Sequence, residues 1–322
     1  MYNILVTRKL PGNALDRLST QYNVTVNPED RNMTREELLE AVQGKDALIS
    51  MLSDQVDAEL MDAGAGLKVI ANYAVGFNNI DVQAATERKI PVCNTPDVLT
   101  NASADFAWTL LMAAARRLIE GDAMTRAGQF TGWGPELLLG VEVFGKTLGI
   151  VGAGRIGQAV AKRALGFDMR TLYYNRSRLP HSVEQELNME YADLETLLKE
   201  SDFVSLHCPL TPETRYLIDA EELELMKPTA ILINTARGPV VNETALVHAL
   251  RDKVIWGAGL DVFEDEPALK PGLAELPNVV LAPHIASAAT ETRAKMADMA
   301  VDDVLAVLSG RRPKNLVNPE VF

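Results

Sequence analysis

The sequence predicts an α/β protein made of two doubly wound parallel sheets, and three observations carry that prediction. Short apolar runs alternate with helix-spaced segments along almost the whole chain, as strands and helices do in a parallel sheet. A glycine-rich turn, Gly152-Ala153-Gly154-Arg155-Ile156-Gly157, stands at the head of a second such series. A chain of 322 residues is long for one core, so two domains are the default.

The first series reaches to about Pro96. "NILVT", "YNVTV", "ALISM", "LKVIA" and "IPVC" read as strands, with "GNALDRLST", "TREELLEAVQ", "DAELMDAGAG" and "DVQAATERK" as helices between them. A long helix is predicted over 101–121, "NASADFAWTLLMAAARRLIEG", with Thr100 or Asn101 as its cap. The second series begins near Lys146 with "TLGIVG", "TLYYN", "FVSLH", "AILINT", "GAGLDVF" and "VVLAPHI". Continuous apolar runs of this kind mark strands buried on both faces. A further helix, "ATETRAKMADMAVDDVLAVLSG", precedes a tail, "NLVNPEVF", expected to cross back to the first domain. The predicted division is 1–98 and 288–322 for one domain, with 99–287 inserted as the other.

Composition removes several classes of function. The net charge of −13, with no lysine-rich run, argues against a nucleic-acid surface. Hydrophobic content of 47% and a mean hydropathy near zero describe an ordinary globular chain. Cys93 and Cys208 lie far apart, which gives neither a disulfide framework nor zinc-ligand spacing, so no metal is expected. No uncharged stretch is long enough to span a bilayer, and the first residues read as a strand, not a secretion leader. A cytoplasmic protein with no membrane or nucleic-acid partner is the expectation.

Gly152-x-Gly154-x-x-Gly157 follows an apolar strand directly and opens a helix. In a dinucleotide-binding turn the first glycine permits the tight bend and the second lets backbone approach a pyrophosphate. The third lets the helix pack closely on the strand, and the helix N-terminus faces the phosphates. Alone the spacing is weak; with strand, helix and second strand all in place it reads as a Rossmann cofactor site.

The second strand of that unit ends in Asn175-Arg176-Ser177, where an acid usually holds the adenosine ribose. Asn175 has no charge to repel a phosphate, Arg176 is a cation and fork donor, and Ser177 adds a hydroxyl. A 2′-phosphate needs that combination, whereas a free 2′-hydroxyl prefers an acid. NADPH is therefore expected over NADH; the competing reading is an exposed arginine in a turn.

Polar residues also mark the ends of later strands. "INTARGPVVN" sets Arg237 just beyond a strand, "GLDVFEDEP" sets Asp261 inside one and Glu266 before Pro267, and "LAPHIAS" sets His284 at the end of the last. Ligands of open α/β sheets bind at the carboxyl ends of strands. An arginine for a carboxylate, a histidine for proton transfer and an acid to orient it form a complete chemical set. Taken singly, Arg237 also fits a turn cap and Glu266 a solvated acidic loop. His181, His207 and His248 read as packing or surface residues.

The motifs "VGAGRIGQAVAKRALGF", "FVSLHCPLTPETRYLI", "ILINTARGPVVNETALVHAL", "GAGLDVFEDEP" and "NVVLAPHIASAATETR" resemble the D-isomer-specific 2-hydroxyacid dehydrogenase family. "WGPELLLGVEVFGKTLGIVGAGRIG" is similar to its glyoxylate and hydroxypyruvate reductase branch. The resemblance covers nearly the whole chain. It implies a Rossmann cofactor domain inserted in a flavodoxin-like substrate domain, and reduction of a small 2-keto acid to the D-2-hydroxy acid by hydride from a nicotinamide. It implies that Arg237 binds the substrate carboxylate and polarises the keto group, that His284 donates the proton, and that Glu266 favours protonated His284. "NYAVGFNNID" matches the loop whose amides, at Val75 and Gly76, hold the carboxylate, with Leu52 beside them. Asn78 departs from the aspartate of many relatives. Further implied cofactor contacts are Thr100, Arg155, Ile156, Cys208, Pro209, Thr214, Thr235, Ala236, Arg237, Asp261, His284 and Ser287, beside the three glycines and 175–177. A tryptophan placed as Trp133 reaches the neighbouring subunit's active site in that branch, which implies a homodimer.

Two alternatives compete. A longer sugar acid such as 2-ketogluconate is the rival substrate, and Met51, Leu52 and Trp133 would decide it. Phosphoglycerate dehydrogenase fits less well, because the usual NAD acid is missing and no regulatory domain is expected after Gly310. From another class, an NAD(P)-sensing interaction protein of the same fold should carry tails or a peptide-binding extension. A chain that starts at its first strand and stops soon after its last helix favours the enzyme.

Overall fold

A computed structural model describes residues 1–322, which divide into two compact units: Met1–Leu99 with Ser287–Phe322, and Thr100–Ala286. The first unit begins with strands β1 (Asn3–Val6), β2 (Asn23–Val26), β3 (Ala47–Ser50), β4 (Val69–Asn72) and β5 (Val92–Cys93). Helices α1 (Ala14–Ser19), α2 (Arg35–Ala41), α3 (Ala58–Ala63) and α4 (Val82–Glu87) connect them. All the pairings are parallel, in the order β2-β1-β3-β4-β5 of a flavodoxin-like sheet. Thr34 starts α2 with a capping box to Glu37, and Asp57 and Asp81 cap α3 and α4, so these three crossovers start at defined residues.

The second unit opens with α5 (Thr100–Ala115) and α6 (Leu118–Arg126), not the single helix predicted. The break has a tertiary cause. Ala115 gives its carbonyl to the amide of Val141 at 2.9 Å, and Arg117 takes a left-handed conformation with φ 51°. Thr100 and Asn101 lie inside α5, so neither is its cap.

The sheet of this unit comprises β6 (Thr147–Val151), β7 (Arg170–Tyr174), β8 (Met189–Tyr191), β9 (Phe203–Leu206), β10 (Ile231–Asn234), β11 (Gly257–Leu260) and β12 (Val279–Leu281). Helices α7 (Arg155–Ala164), α8 (His181–Leu187), α9 (Leu194–Glu200), α10 (Ala220–Leu225) and α11 (Glu243–Arg251) link them. The order β12-β11-β10-β9-β6-β7-β8, all parallel, is the Rossmann arrangement extended by one strand. The six-run prediction missed β8: of its three residues only Met189 is buried, so no apolar run announces it.

Alternate residues of each sheet feed cores on its two faces. Leu148, Ile150, Tyr173, Ile231 and Ile233 pack on α5 and α7, while Val151, Leu172, Val204, Leu232 and Leu260 pack towards α9, α10 and α11. In the first unit Ile4, Val6 and Ile49 meet α1 and α12 (Thr290–Leu308), and Leu5, Leu48 and Ile70 meet α2, α3 and α4. The C-terminal tail pairs with β5, Val317 donating to Val92 at 2.7 Å and Asn94 to Asn315 at 3.2 Å. No helix is long and apolar enough to cross a membrane.

Candidate active site

The glycine turn leaves β6 where the second sheet reverses its strand order, between β6 and β9. Gly152 has φ +97°, and a Cβ there would lie 2.5 Å from the Cys208 amide nitrogen. A Cβ at Gly157 would lie 2.3 Å from the Gly152 carbonyl oxygen, so α7 runs tight against the turn. A Cβ at Gly154 would meet nothing within 4 Å, which leaves the outer side of the turn open. No side chain caps α7 at Gly154, so its first-turn N–H groups are available to an anion. The turn thus fits a dinucleotide pyrophosphate.

Asn175 fastens the loop after β7 to that turn, its Oδ1 accepting the Ala153 amide at 2.7 Å. The two neighbouring arginines differ. Arg178 is committed to Glu184, at 2.7 and 3.0 Å, and Tyr173 donates to the same carboxylate at 2.6 Å. Arg176 and Ser177 are exposed, and Arg176 enters no ion pair. Of the other expected cofactor residues, Cys208 offers backbone to the turn while its thiol is buried. The Thr214 hydroxyl is engaged locally, donating to the Pro209 carbonyl at 2.7 Å and accepting from the Thr211 amide at 2.8 Å. The buried Thr235 hydroxyl has no partner in the protein, as expected of a group that a ligand would satisfy. Ser287 opens the return segment of the first unit.

The loops after β10, β11 and β12 carry Arg237, Glu266 and His284. Asn234, fully buried at the end of β10, accepts from the Ala236 amide and donates to the Arg237 carbonyl, both at 3.0 Å. That fixes the turn bearing Thr235, Ala236 and Arg237. Gly238 must follow, because a Cβ there would sit 1.8 Å from the Phe263 carbonyl oxygen. Burial holds the Arg237 guanidinium below its usual pKa, while the charge of Glu266 opposes the shift.

Glu266 receives the Phe263 amide at 3.0 Å through one oxygen and meets His284 Nδ1 at 2.9 Å through the other. The buried Glu243 carboxylate accepts the Glu264 and Lys270 amides at 2.7 and 3.1 Å and so anchors the loop carrying Glu266. Burial pushes the Glu266 carboxyl up, but the hydrogen bond and charge of His284, with Arg237, outweigh it and hold the group below its ordinary value. With a carboxylate on Nδ1, that nitrogen carries a proton and Nε2 is left to face a substrate.

Asp261 lies just past β11, not inside it, and its carboxylate is fully buried. It accepts the Ile285 and Ala286 amides at 2.7 Å each, and its carbonyl accepts the His284 amide at 2.9 Å. His284 is held in the left-handed region, φ 54°, by those bonds. Asp261 therefore sets the loop that aims the imidazole. His207 takes no comparable place: its ring meets Ser205 Oγ at 2.8 Å, and burial pushes its pKa down to about 4.

In the first unit Leu52 is exposed and Val75 and Gly76 are half-buried, on loops after β3 and β4. Trp133 is 86% exposed, within a segment that also exposes Phe130, Leu137 and Leu139. Sequence reasoning passed over Asn234, Glu243 and the loop-setting part of Asp261. For Asn234 and Asp261 the available signal was a polar residue closing an apolar run, whereas Glu243 opens α11 and carried no such signal.

Comparisons with known proteins place the chain in a family. Residues 108–286 match the family model described as D-isomer specific 2-hydroxyacid dehydrogenase, NAD binding domain. The chain belongs to this family. It is 54% identical to a glyoxylate reductase of Thermococcus gammatolerans, over 99% of this chain and 96% of that protein. A crystal structure from Thermus thermophilus matches with TM-score 0.93 and 52% identity, over 98% and 99% of the two chains. An NADPH-dependent glyoxylate/hydroxypyruvate reductase of Sinorhizobium meliloti, solved with NADP and malonate, matches with TM-score 0.86 and 34% identity, over 98% and 96%. The chain is thus an oxidoreductase of the D-2-hydroxyacid dehydrogenase type with a nicotinamide-dinucleotide domain.

Proposed function

We propose that the protein is an NADPH-dependent glyoxylate and hydroxypyruvate reductase acting in the cytoplasm as a homodimer. The observation that carries the reaction is the set Arg237, Glu266 and His284 on the carboxyl ends of β10, β11 and β12, in the sheet that carries the glycine turn.

When bound, the reduced nicotinamide supplies a hydride to the keto carbon. Arg237 grips the 2-keto acid through its planar fork and draws electron density towards the keto oxygen. Charge develops on that oxygen as its double bond to carbon breaks. His284 Nε2 gives it a proton, and the product is the 2-hydroxy acid. Glu266 keeps the proton on Nδ1 and offsets the positive charge of the imidazolium, while Asp261 holds the loop in place. The amides of Val75 and Gly76 hold the substrate carboxylate. Gly152, Gly154, Gly157 and the start of α7 hold the pyrophosphate, and Thr235 contributes its unpartnered hydroxyl.

The preference for NADPH is supported by Arg176 and Ser177, exposed beside an uncharged Asn175 and not drawn into the Arg178–Glu184 pair. The Sinorhizobium meliloti relative was solved with NADP. The dimer is supported by the exposed apolar segment around Trp133, which a monomer leaves in water. The two cysteines, both buried and unpaired, suit a reducing compartment.

NADPH oxidation with a panel of keto acids tests the reading. Glyoxylate and hydroxypyruvate should turn over faster than 2-ketogluconate, and NADPH should outperform NADH. Turnover with none of them would favour a sensing protein. Sedimentation should give a dimer; a stable and fully active monomer would refute that part.

A further inference from the structure

The loop after β4 is restrained in an unusual way. Three successive carbonyls are each taken by a donor, two of them just past the neighbouring β5 and one at the end of β4 itself. Ala74 accepts from the Thr95 amide at 2.9 Å, Val75 from Asn94 Nδ2 at 2.7 Å, and Gly76 from Asn72 Nδ2 at 2.8 Å. A trans peptide points its N–H opposite to its C=O. Fixing these carbonyls therefore turns the amides of Val75, Gly76 and Phe77 away from the donors. None of the three amides finds an acceptor in the protein.

Asn72 is fully buried and braced on every side. Ser50 donates to its Oδ1 at 3.1 Å, and Asn79 meets it in a reciprocal amide pair at 3.1 and 3.4 Å. Asn79 in turn donates to the carbonyls of Met51 and Asp54, at 3.1 and 3.0 Å. One polar network thus ties the loop after β3 to the loop after β4. Asn94, just past β5, makes a single side-chain bond, the one to Val75.

We propose that Asn72 and Asn94 are positioning residues that aim three consecutive amides, those of Val75, Gly76 and Phe77, at the substrate carboxylate. The proposal rests on the reading of this loop as the carboxylate holder, and it adds a third donor and the side chains that orient all three. An anion is well served by successive backbone N–H groups that have no competing acceptor.

Asn94 is the position to test, because it is less buried than Asn72 and holds only this loop. Asn94→Ala in the enzyme saturated with NADPH or NADP should weaken oxamate, an unreactive keto-acid analogue, by roughly three- to tenfold, the scale of one net hydrogen bond. KM for glyoxylate should rise by a similar factor, kcat should change less, and NADPH affinity should hold. Asn94→Asp keeps the shape but cannot donate at neutral pH and repels the Val75 carbonyl. It should be worse than Asn94→Ala, whereas a space-filling role would make it milder. Unchanged oxamate affinity in Asn94→Ala, a milder Asn94→Asp, or a wild type that binds no oxamate overturns the inference. A wild type that binds oxamate through Asn94 yet reduces no keto acid would sink the proposed reaction and leave this assignment standing.

Discussion

The loops that follow β10, β11 and β12 in one unit and those that follow β3 and β4 in the other are built alike but present different groups. Each set is held by polar side chains: the buried Asn234, Asp261 and Glu243 in the first case, the buried Asn72 and half-buried Asn79 in the second. In the first set the ties leave side chains presented, namely Arg237, Glu266 and His284. In the second they leave backbone presented, the amides of Val75, Gly76 and Phe77. Proton transfer needs a titratable side chain, whereas binding an anion needs only fixed dipoles.

The division can be broken first at Arg237. Arg237→Lys keeps the charge but loses the planar two-point grip, so kcat/KM for glyoxylate should fall by about a hundredfold or more. Near-normal kinetics would mean that any cation serves there. A smaller loss, about ten- to a hundredfold in NADPH affinity, is expected for Arg176→Ala, because a charge-assisted contact with the 2′-phosphate disappears. NADH should be nearly unaffected, and adding Asn175→Asp should turn the preference towards NADH. Equal losses with both cofactors would defeat the phosphate-clamp reading.

The smallest effect concerns pH. The Glu266 carboxyl is held below its ordinary value of 4.5. A lowered carboxyl contributes stability that is present above the ordinary value and is lost as pH falls through the lowered one. Unfolding measured from neutral pH into acid should show wild type ahead of Glu266→Gln near pH 7 and the gap closing on acidification. A gap that widened in acid would contradict the assigned direction.

The same contrast explains what the sequence could announce. Gly152 and Gly157 each answer a steric demand that no other residue meets, so the turn was legible once its spacing stood between an apolar strand and a helix. Arg237, Glu266 and His284 were legible because few residue types perform their chemistry. Asn72 and Asn94 act through their neighbours' backbone, and asparagine at a strand end has many commoner uses. The break between α5 and α6 was hidden for a related reason. Helix propensity runs on through "LLMAAARRLIEG", and the carbonyl of Ala115 is claimed by Val141, distant in sequence. β8 was hidden because two of its three side chains face solvent.

The most direct test of the account runs His284→Ala and Asn94→Ala side by side with glyoxylate at saturating NADPH. His284→Ala should lower kcat by about a hundredfold or more, the usual scale for a general acid, with little change in KM. Asn94→Ala should raise KM severalfold and leave kcat within about twofold, as expected when ground-state binding is lost uniformly. The account is contradicted if His284→Ala turns over normally, or if both variants lose kcat and KM in the same proportion.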